Sequence, residues 1–269
     1  MSSVRTTIGC GPRTTRPTLR ACGAAAVEGP PTGGTIRGYW DANVGVTTSG
    51  SDLAIWEAAI NNPLIDNGDS TFTDSGTGPT YSQGVGVGLG NRAHMTFSFG
   101  GNDGIIHASG GDRYLNGTGP ETIYILCNFY TGPAGFDNAR WFEASDQSYV
   151  RTLSMSSYRP RMVGNVAFIR NKVWSTGWSY FMCSYGDNGV ANSTIGGANA
   201  TAGREWIAGT HNYNFGSITN SKITMAKEAG QANPINMQLA EVIIVDGADT
   251  QAEGEAVFSF WNDRYGFSL

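Results

Sequence analysis

The chain of 269 residues lacks any long apolar run. No stretch approaches the ~18 consecutive apolar residues of a transmembrane helix, so we expect no membrane partner. The first 26 residues contain no apolar segment typical of a signal peptide, which predicts no export signal. Charged residues make up only 14% of the chain and the formal net charge is -5, which argues against nucleic acid as a partner.

Cysteine is also scarce, and none of the four cysteines shows the C-x-x-C spacing of a zinc or redox site. Cys127 and Cys183 lie in apolar, strand-like segments. They are predicted to be buried free thiols, since free cysteine is among the most buried residue types. Cys10 and Cys22 could pair or stay reduced, and the lack of an export signal favours the reduced state.

What the chain has in abundance is short apolar segments separated by Gly, Asn, Asp and Ser. In HMTFSF, for example, Met95, Phe97 and Phe99 alternate with polar residues, as in a strand with one buried face. Many short strands with frequent turn residues are typical of an antiparallel β-sandwich. We therefore predict an all-β, two-sheet jelly-roll domain over residues 36–269.

The first 35 residues differ from the rest of the chain. They contain four prolines, six glycines and almost no large apolar side chain, so they cannot bury a core and are predicted to form an extended arm. Their net charge is +3, which leaves -8 for the remainder. The arm's arginines are predicted to contact acidic surfaces of other protein subunits: Arg5, Arg13, Arg16 and Arg20.

The chain ends with the pattern of one strand and one helix. Leu239 to Val245 is apolar and β-branched, as in a central strand. Thr250 and Glu253 match a capping box at a helix start, and Gly266 matches a C-cap. Helical spacing predicts that the last strand and this helix share a buried contact, made by Val242, Ile244, Val257, Phe260 and Trp261. Glu241, alone on its strand, is predicted to orient a loop or face solvent.

The segment LAEVIIVDGADTQAEGEAVFSFWNDRYGF resembles the C-terminal signature of concanavalin A-like, laminin-G-like jelly-roll domains of bacterial and phage proteins. The opening GYWDANVGVTTSGSDLAIWEAAINN is similar to the start of the same family. The resemblance covers residues 36–269 and implies two packed antiparallel sheets with one short C-terminal helix. It implies no single function, because the fold hosts lectins, glycanases, adhesins and virion parts.

Catalytic patterns are missing. Retaining glycanases of this fold carry an E-x-D strand that holds two carboxylates about 5–5.5 Å apart, and no E-x-D occurs here. Glu143 and Asp146 are three residues apart and would point to opposite faces of a strand. The three histidines lie in separate segments, and no G-x-S-x-G is present. We therefore predict that the protein is not an enzyme.

Two kinds of ligand site are nevertheless predicted. Aromatic rings and amides suit the faces and hydroxyls of sugars, although each tryptophan could equally belong to the core. The sugar-binding candidates are Trp174, Trp178, Tyr180, Trp206, His211, Asn212 and Tyr213. The segment GTHNYNFGS, residues 209–217, is the most loop-like of these stretches and is predicted to be a loop. A second cluster offers oxygen ligands for Ca²⁺, or ordinary turn residues, and no other cofactor is predicted. It consists of Asp66, Asn67, Asp69 and Asp74.

The arm decides between the functional hypotheses. An extended basic segment suits attachment to a larger particle, where it orders against neighbouring subunits. The sequence therefore predicts an oligomeric virion protein, such as a phage head decoration, fibre or tail component, that displays its jelly roll for attachment to cell-surface glycan. The alternatives are a free-standing lectin-like carbohydrate-binding protein and, less favoured, a divergent glycanase.

Overall fold

The computed structural model describes residues 29–61, 71–74, 79–83, 93–97, 105–107, 120–129, 140–145, 150–156, 159–163, 167–169, 177–186, 189–199, 203–213, 222–225 and 237–269. In chain order the elements are β1 (Thr35–Asp41), β2 (Val46–Ser49), β3 (Asp52–Glu57), β4 (Ile60–Asn61), β5 (Thr71–Asp74), β6 (Thr80–Ser82), β7 (His94–Phe97), β8 (Ile105–His107), β9 (Glu121–Phe129), β10 (Arg140–Ser145), β11 (Val150–Ser156), β12 (Arg159–Val163), β13 (Ala167–Ile169), β14 (Gly177–Tyr185), β15 (Gly189–Asn199), β16 (Gly203–Tyr213), β17 (Lys222–Met225), β18 (Met237–Asp246) and α1 (Gln251–Tyr265).

The strands pair antiparallel and form the two layers of a sandwich. In the first layer β18 pairs with β9, which continues to β14, β15 and β16. The other edge of β18 pairs with β1 at one end and β7 at the other. The second layer runs β2, β3, β5, β8, β17, β10, β11, β12, β13, and β6 joins β3 to β7. The prediction of an all-β sandwich with one C-terminal helix is confirmed.

Alternate residues of the first layer face the interior of the sandwich. Ile123 and Ile125 on β9 and Val242 and Ile244 on β18 are buried there, together with Trp56 of β3. Cys127 and Cys183 are buried in the same core, as predicted. Burial in this apolar core raises the pKa of the Cys127 thiol, so it stays protonated.

The opposite face of the first layer is covered by α1. Tyr124 and Leu126 of β9 and Ile243 and Val245 of β18 pack against one side of the helix. The helix begins at the predicted capping box, in which the Thr250 hydroxyl and the Glu253 carboxylate each accept a hydrogen bond from the other's backbone N–H. It ends at Gly266, whose φ of 71° is the left-handed conformation that favours glycine. No helix among the described residues is long and apolar enough to cross a membrane.

The predicted contact between the last strand and the helix is partly wrong. Val242 and Ile244 are buried in the other core, and Phe260 is only half-buried. Val257 and Trp261 are buried as predicted, but Phe258 rather than Phe260 is buried beside them. The helix lies close to the sheet at Gly254, where an added Cβ would lie 2.4 Å from the Met182 sulfur. The residues that follow on the Gly254 side are buried: Val257, Phe258, Trp261 and Tyr265.

Candidate functional site

An open cleft of about 410 Å³ lies beside the β2–β3 hairpin. This volume falls within the range of about 300–1,000 Å³ that is usual for small-molecule sites. The described residues that line the cleft are all uncharged: Asn43, Gly45, Val46, Thr48, Gly50, Ser51, Tyr81 and Gln83. The cleft therefore offers amide and hydroxyl groups for hydrogen bonding beside one aromatic ring.

Two glycines shape the hairpin wall of the cleft. Ser49 pairs with Asp52, so β2 and β3 are joined by a two-residue turn that begins at Gly50 with φ 66°. Such tight hairpin turns need a positive φ, which glycine adopts without strain. Gly45 has φ 71°, and a Cβ there would lie 2.6 Å from the Glu57 carbonyl oxygen. The wall is thus fixed by its backbone, and its exposed side chains are left to contact a ligand.

The opposite part of the cleft is anchored by hydrogen bonds to the end of β1. The carboxylate oxygen Oδ1 of Asp41 accepts from the Asn43 backbone N–H at 2.9 Å and from its side-chain Nδ2 at 2.7 Å, contacts that do not use the Asn43 amide oxygen. The Tyr81 hydroxyl donates to the Ala42 carbonyl at 2.9 Å. Burial raises the pKa of that hydroxyl and the nearby Asp41 charge raises it further, so Tyr81 remains a donor.

Asp41 connects the cleft to a buried ion-pair network. Asp41 and Glu241 are register partners on β1 and β18, and both are fully buried. Arg264, on the last turn of α1, donates to the Asp41 carboxylate and lies 3.3 Å from Glu241 Oε1. Burial alone would lower the pKa of Arg264, but the two carboxylates raise it, so this arginine stays charged. The network holds Asp41 in place and thereby orients Asn43 at the cleft.

Glu241 is satisfied by aromatic donors, and the prediction that it orients a loop or faces solvent is wrong. Its Oε2 accepts from Tyr39 Oη at 2.8 Å and from Trp261 Nε1 at 2.7 Å, while the Tyr265 hydroxyl donates to Oε1. The donors come from β1 and α1, so the last strand by itself gives no sign of them. Burial, followed by the Asp41 charge, raises the pKa of Glu241 to about 7.

Trp206 and Tyr180, two of the predicted sugar-binding residues, belong to the helix packing. The Trp206 ring stacks on Phe258 with centroids 5.3 Å apart, and its indole N–H donates to Glu255. Tyr180 is buried against α1, and its hydroxyl donates to Asn262 Oδ1 at 2.7 Å. Both side chains are therefore structural contacts of the helix.

Trp178 lies instead beside polar side chains of β7, β9 and β18. Its ring meets His94 edge-on at 6.2 Å between centroids. Between them, Asn128 Nδ2 donates to Gln238 Oε1 at 2.8 Å, and Gln238 Nε2 lies 3.2 Å from His94 Nε2. Of the two predicted tryptophans that the structure describes, Trp178 is the one placed among amides, on the helix-covered face of the first layer.

His211, Asn212 and Tyr213 lie on β16, paired with β15, rather than on the predicted loop. The prediction failed because the hydrogen-bonding partners are on the preceding strand, which has an unusual Gly, Ala and Asn content. Asp74 ends β5, and no group of three or more His, Cys, Asp or Glu residues in the described ranges could hold a metal ion. The other candidates fall outside the described residues: Trp174, Asp66, Asn67, Asp69, Arg5, Arg13, Arg16 and Arg20.

No protein-family model and no curated protein sequence matches this chain. Among solved structures it is similar to domain 4 of AbnA, a GH43 extracellular arabinanase from Geobacillus stearothermophilus, in complex with arabinotriose. The TM-score is 0.56 at 12% identity, over 83% of this chain and 98% of that one. It is also similar to a Trypanosoma rangeli sialidase mutant displaying trans-sialidase activity, with TM-score 0.55 at 14% identity, over 92% of this chain and 35% of the sialidase.

A third similar structure is a GH54 α-L-arabinofuranosidase soaked with a cyclic sulfate inhibitor, with TM-score 0.50 at 13% identity, over 77% of this chain and half of that one. At these identities the matches establish the β-sandwich fold. They give no support to the predicted virion role, since all three structures come from carbohydrate-active enzymes.

The prediction that the chain is not an enzyme is wrong, because the matching sandwiches come from glycoside hydrolases. That prediction depended on the missing E-x-D pattern. Asp41 and Glu241 illustrate how carboxylates can become neighbours, here across β1 and β18, without any local motif. Carboxylates that tertiary structure brings together leave no strand pattern to search for.

Proposed function

We propose that this chain is a carbohydrate-binding β-sandwich domain of the concanavalin A-like type, and that the cleft beside the β2–β3 hairpin holds the sugar. The observation that carries the proposal is the lining of the cleft. Amides such as those of Asn43 and Gln83 both donate and accept, as sugar hydroxyls require. The half-buried ring of Tyr81 offers an aromatic surface for the apolar face of a sugar.

The comparisons support the ligand class. The similar arabinanase domain is named as a complex with arabinotriose, and the other two similar chains are an arabinofuranosidase and a sialidase. This chain spans nearly all of that arabinanase domain but only about a third of the sialidase. A single sandwich domain that binds sugar is therefore the part of those proteins to which it corresponds best.

The test is a glycan array followed by calorimetric titration of the best saccharide. Thr48 and Gln83 line the cleft, are exposed and can be changed without disturbing the core. The double variant Thr48→Ala/Gln83→Ala should bind at least about fivefold more weakly, because each lost hydrogen bond is worth about 0.5–1.5 kcal/mol. Thr47→Ala, exposed on the same strand but outside the cleft lining, is the matched control and should bind normally.

The samples from these titrations should then be analysed by chromatography for the shorter saccharides that hydrolysis would release, because the similar folds include hydrolases. If no glycan binds, the proposal is wrong. If glycan binding survives the double variant and is lost in Trp178→Ala, the cleft is not the site, and the cluster around Trp178 takes its place.

A further inference from the structure

Three acidic residues contact the cleft lining. The described residues that line it include no Lys, Arg or His. Asp41 holds Asn43, Asp52 accepts from the Ser51 hydroxyl at 3.1 Å, and the backbone and Cβ of Glu57 lie against Gly45. Asp52 and Glu57 are exposed. A ligand in the cleft therefore meets neutral hydrogen-bonding groups within an acidic surrounding.

The arginine that donates to the Asp41 carboxylate is already paired with buried carboxylates. Arg264 forms ion pairs with Asp41 and Glu241, both of which are fully buried. Drawing its guanidinium toward a ligand would leave two buried carboxylates without their cation, which is strongly unfavourable. Arg37, nearby on β1, is paired with Asp246 at 2.8 Å. Neither arginine is available to a ligand in the cleft.

Resting on the proposed function, we infer that the cleft selects neutral saccharides and rejects sugar acids such as sialic and uronic acids. A sugar carboxylate is normally bound by arginine or lysine through charge-assisted hydrogen bonds, which the described residues of the cleft lining cannot provide. It would also be repelled by Asp52, which adjoins the lining residue Ser51, because charges within about 8–10 Å still interact at physiological salt. The fold leaves this choice open, because it includes both an arabinanase domain and a sialidase.

The experiment compares neutral saccharides with matched acidic ones on the full chain. Lactose is compared with sialyllactose, and galactobiose with digalacturonic acid. Each saccharide is made to compete with the best array ligand for binding to the chain. Neutral members should compete at least tenfold better than their acidic partners at low salt, and the difference should shrink as salt is added. Asp52→Asn should narrow the difference, whereas Asp263→Asn, an exposed carboxylate on α1, should leave it unchanged.

A gain of function sharpens the test. Thr48→Lys places a cation in the lining and should improve competition by the acidic members several-fold, with little change for the neutral ones. If the wild-type chain binds acidic saccharides as well as neutral ones, and Thr48→Ala/Gln83→Ala abolishes both, the inference is wrong while the proposed function stands. If neither class binds, the proposed function itself is wrong.

Discussion

The layer around α1 and the β2–β3 hairpin are held in place by different means. Around α1, buried aromatic rings enclose an ion-pair network whose members come from both ends of the described chain. The hairpin, in contrast, depends on backbone pairing and on two positive-φ glycines, Gly45 and Gly50, with exposed side chains at its tip. The comparison teaches that the stabilising network and the proposed ligand contacts are separated in this domain, so substitutions in the two regions should have different consequences.

The largest effect is expected at Arg264. Arg264→Leu leaves Asp41 and Glu241 buried without their cation and should lower the free energy of unfolding by about 3–5 kcal/mol. The matched control is Arg204→Leu, which removes the pair with Glu255 at the surface and should cost less than about 1 kcal/mol. Urea denaturation measures both, and equal losses would show that the network is not the anchor of this layer.

Two phenylalanines of α1 test which side of the helix is buried. Phe258 is fully buried between Trp206 and Trp261, so Phe258→Ala should cost about 3–5 kcal/mol. Phe260 is half-buried and contacts the Arg264 guanidinium, so Phe260→Ala should cost about 1 kcal/mol. Thermal melts of the pair are sufficient, and the reverse order would overturn the observed packing of the helix.

The pH dependence of stability tests the burial of Glu241. Its pKa in the folded state, about 7, lies above its ordinary value of 4.5, so the native state binds the proton more tightly than the unfolded state. Protonated Glu241 therefore makes its full contribution to the free energy of unfolding below about pH 4.5. This contribution, about 3 kcal/mol, is lost as the pH rises through 7. Glu241→Gln, which resembles the neutral acid, should flatten the dependence of the free energy of unfolding on pH between pH 5 and 8. An unchanged slope would show that another group causes the pH dependence.

The smallest effects are expected from one local hydrogen bond in each region, at the cap of α1 and at the tip of the hairpin. Thr250→Ala removes the cap of α1 and should cost about 1 kcal/mol. Ser51→Ala, at the exposed tip of the hairpin, should change stability by no more than about 0.5 kcal/mol. Calorimetric melting temperatures distinguish the two, and a larger loss at Ser51 than at Thr250 would contradict the division between the two regions.

Part of the cleft could have been predicted. The turn SGSD between TT and LAIW carries the Gly-Ser signal of a two-residue hairpin. Tyr81 and Gln83 could not have been added to it, because they reach the cleft only through the pairing of β6 with β3 and β7. Trp206 and Tyr180 could not be assigned to the core from sequence for a similar reason: a sheet covered on both faces needs rings in two cores.

The sequence by itself determined the class of each well-patterned element. Strand alternation, the capping box at Thr250 and the C-cap at Gly266 are local, since each depends on residues a few positions apart. Tertiary structure alone decided which face of β18 meets the helix, because LAEVIIV is apolar on both faces and its pattern fits either one. It also decided the meeting of Asp41, Glu241 and Arg264, since ion pairs between distant segments form only after the strands and α1 have packed.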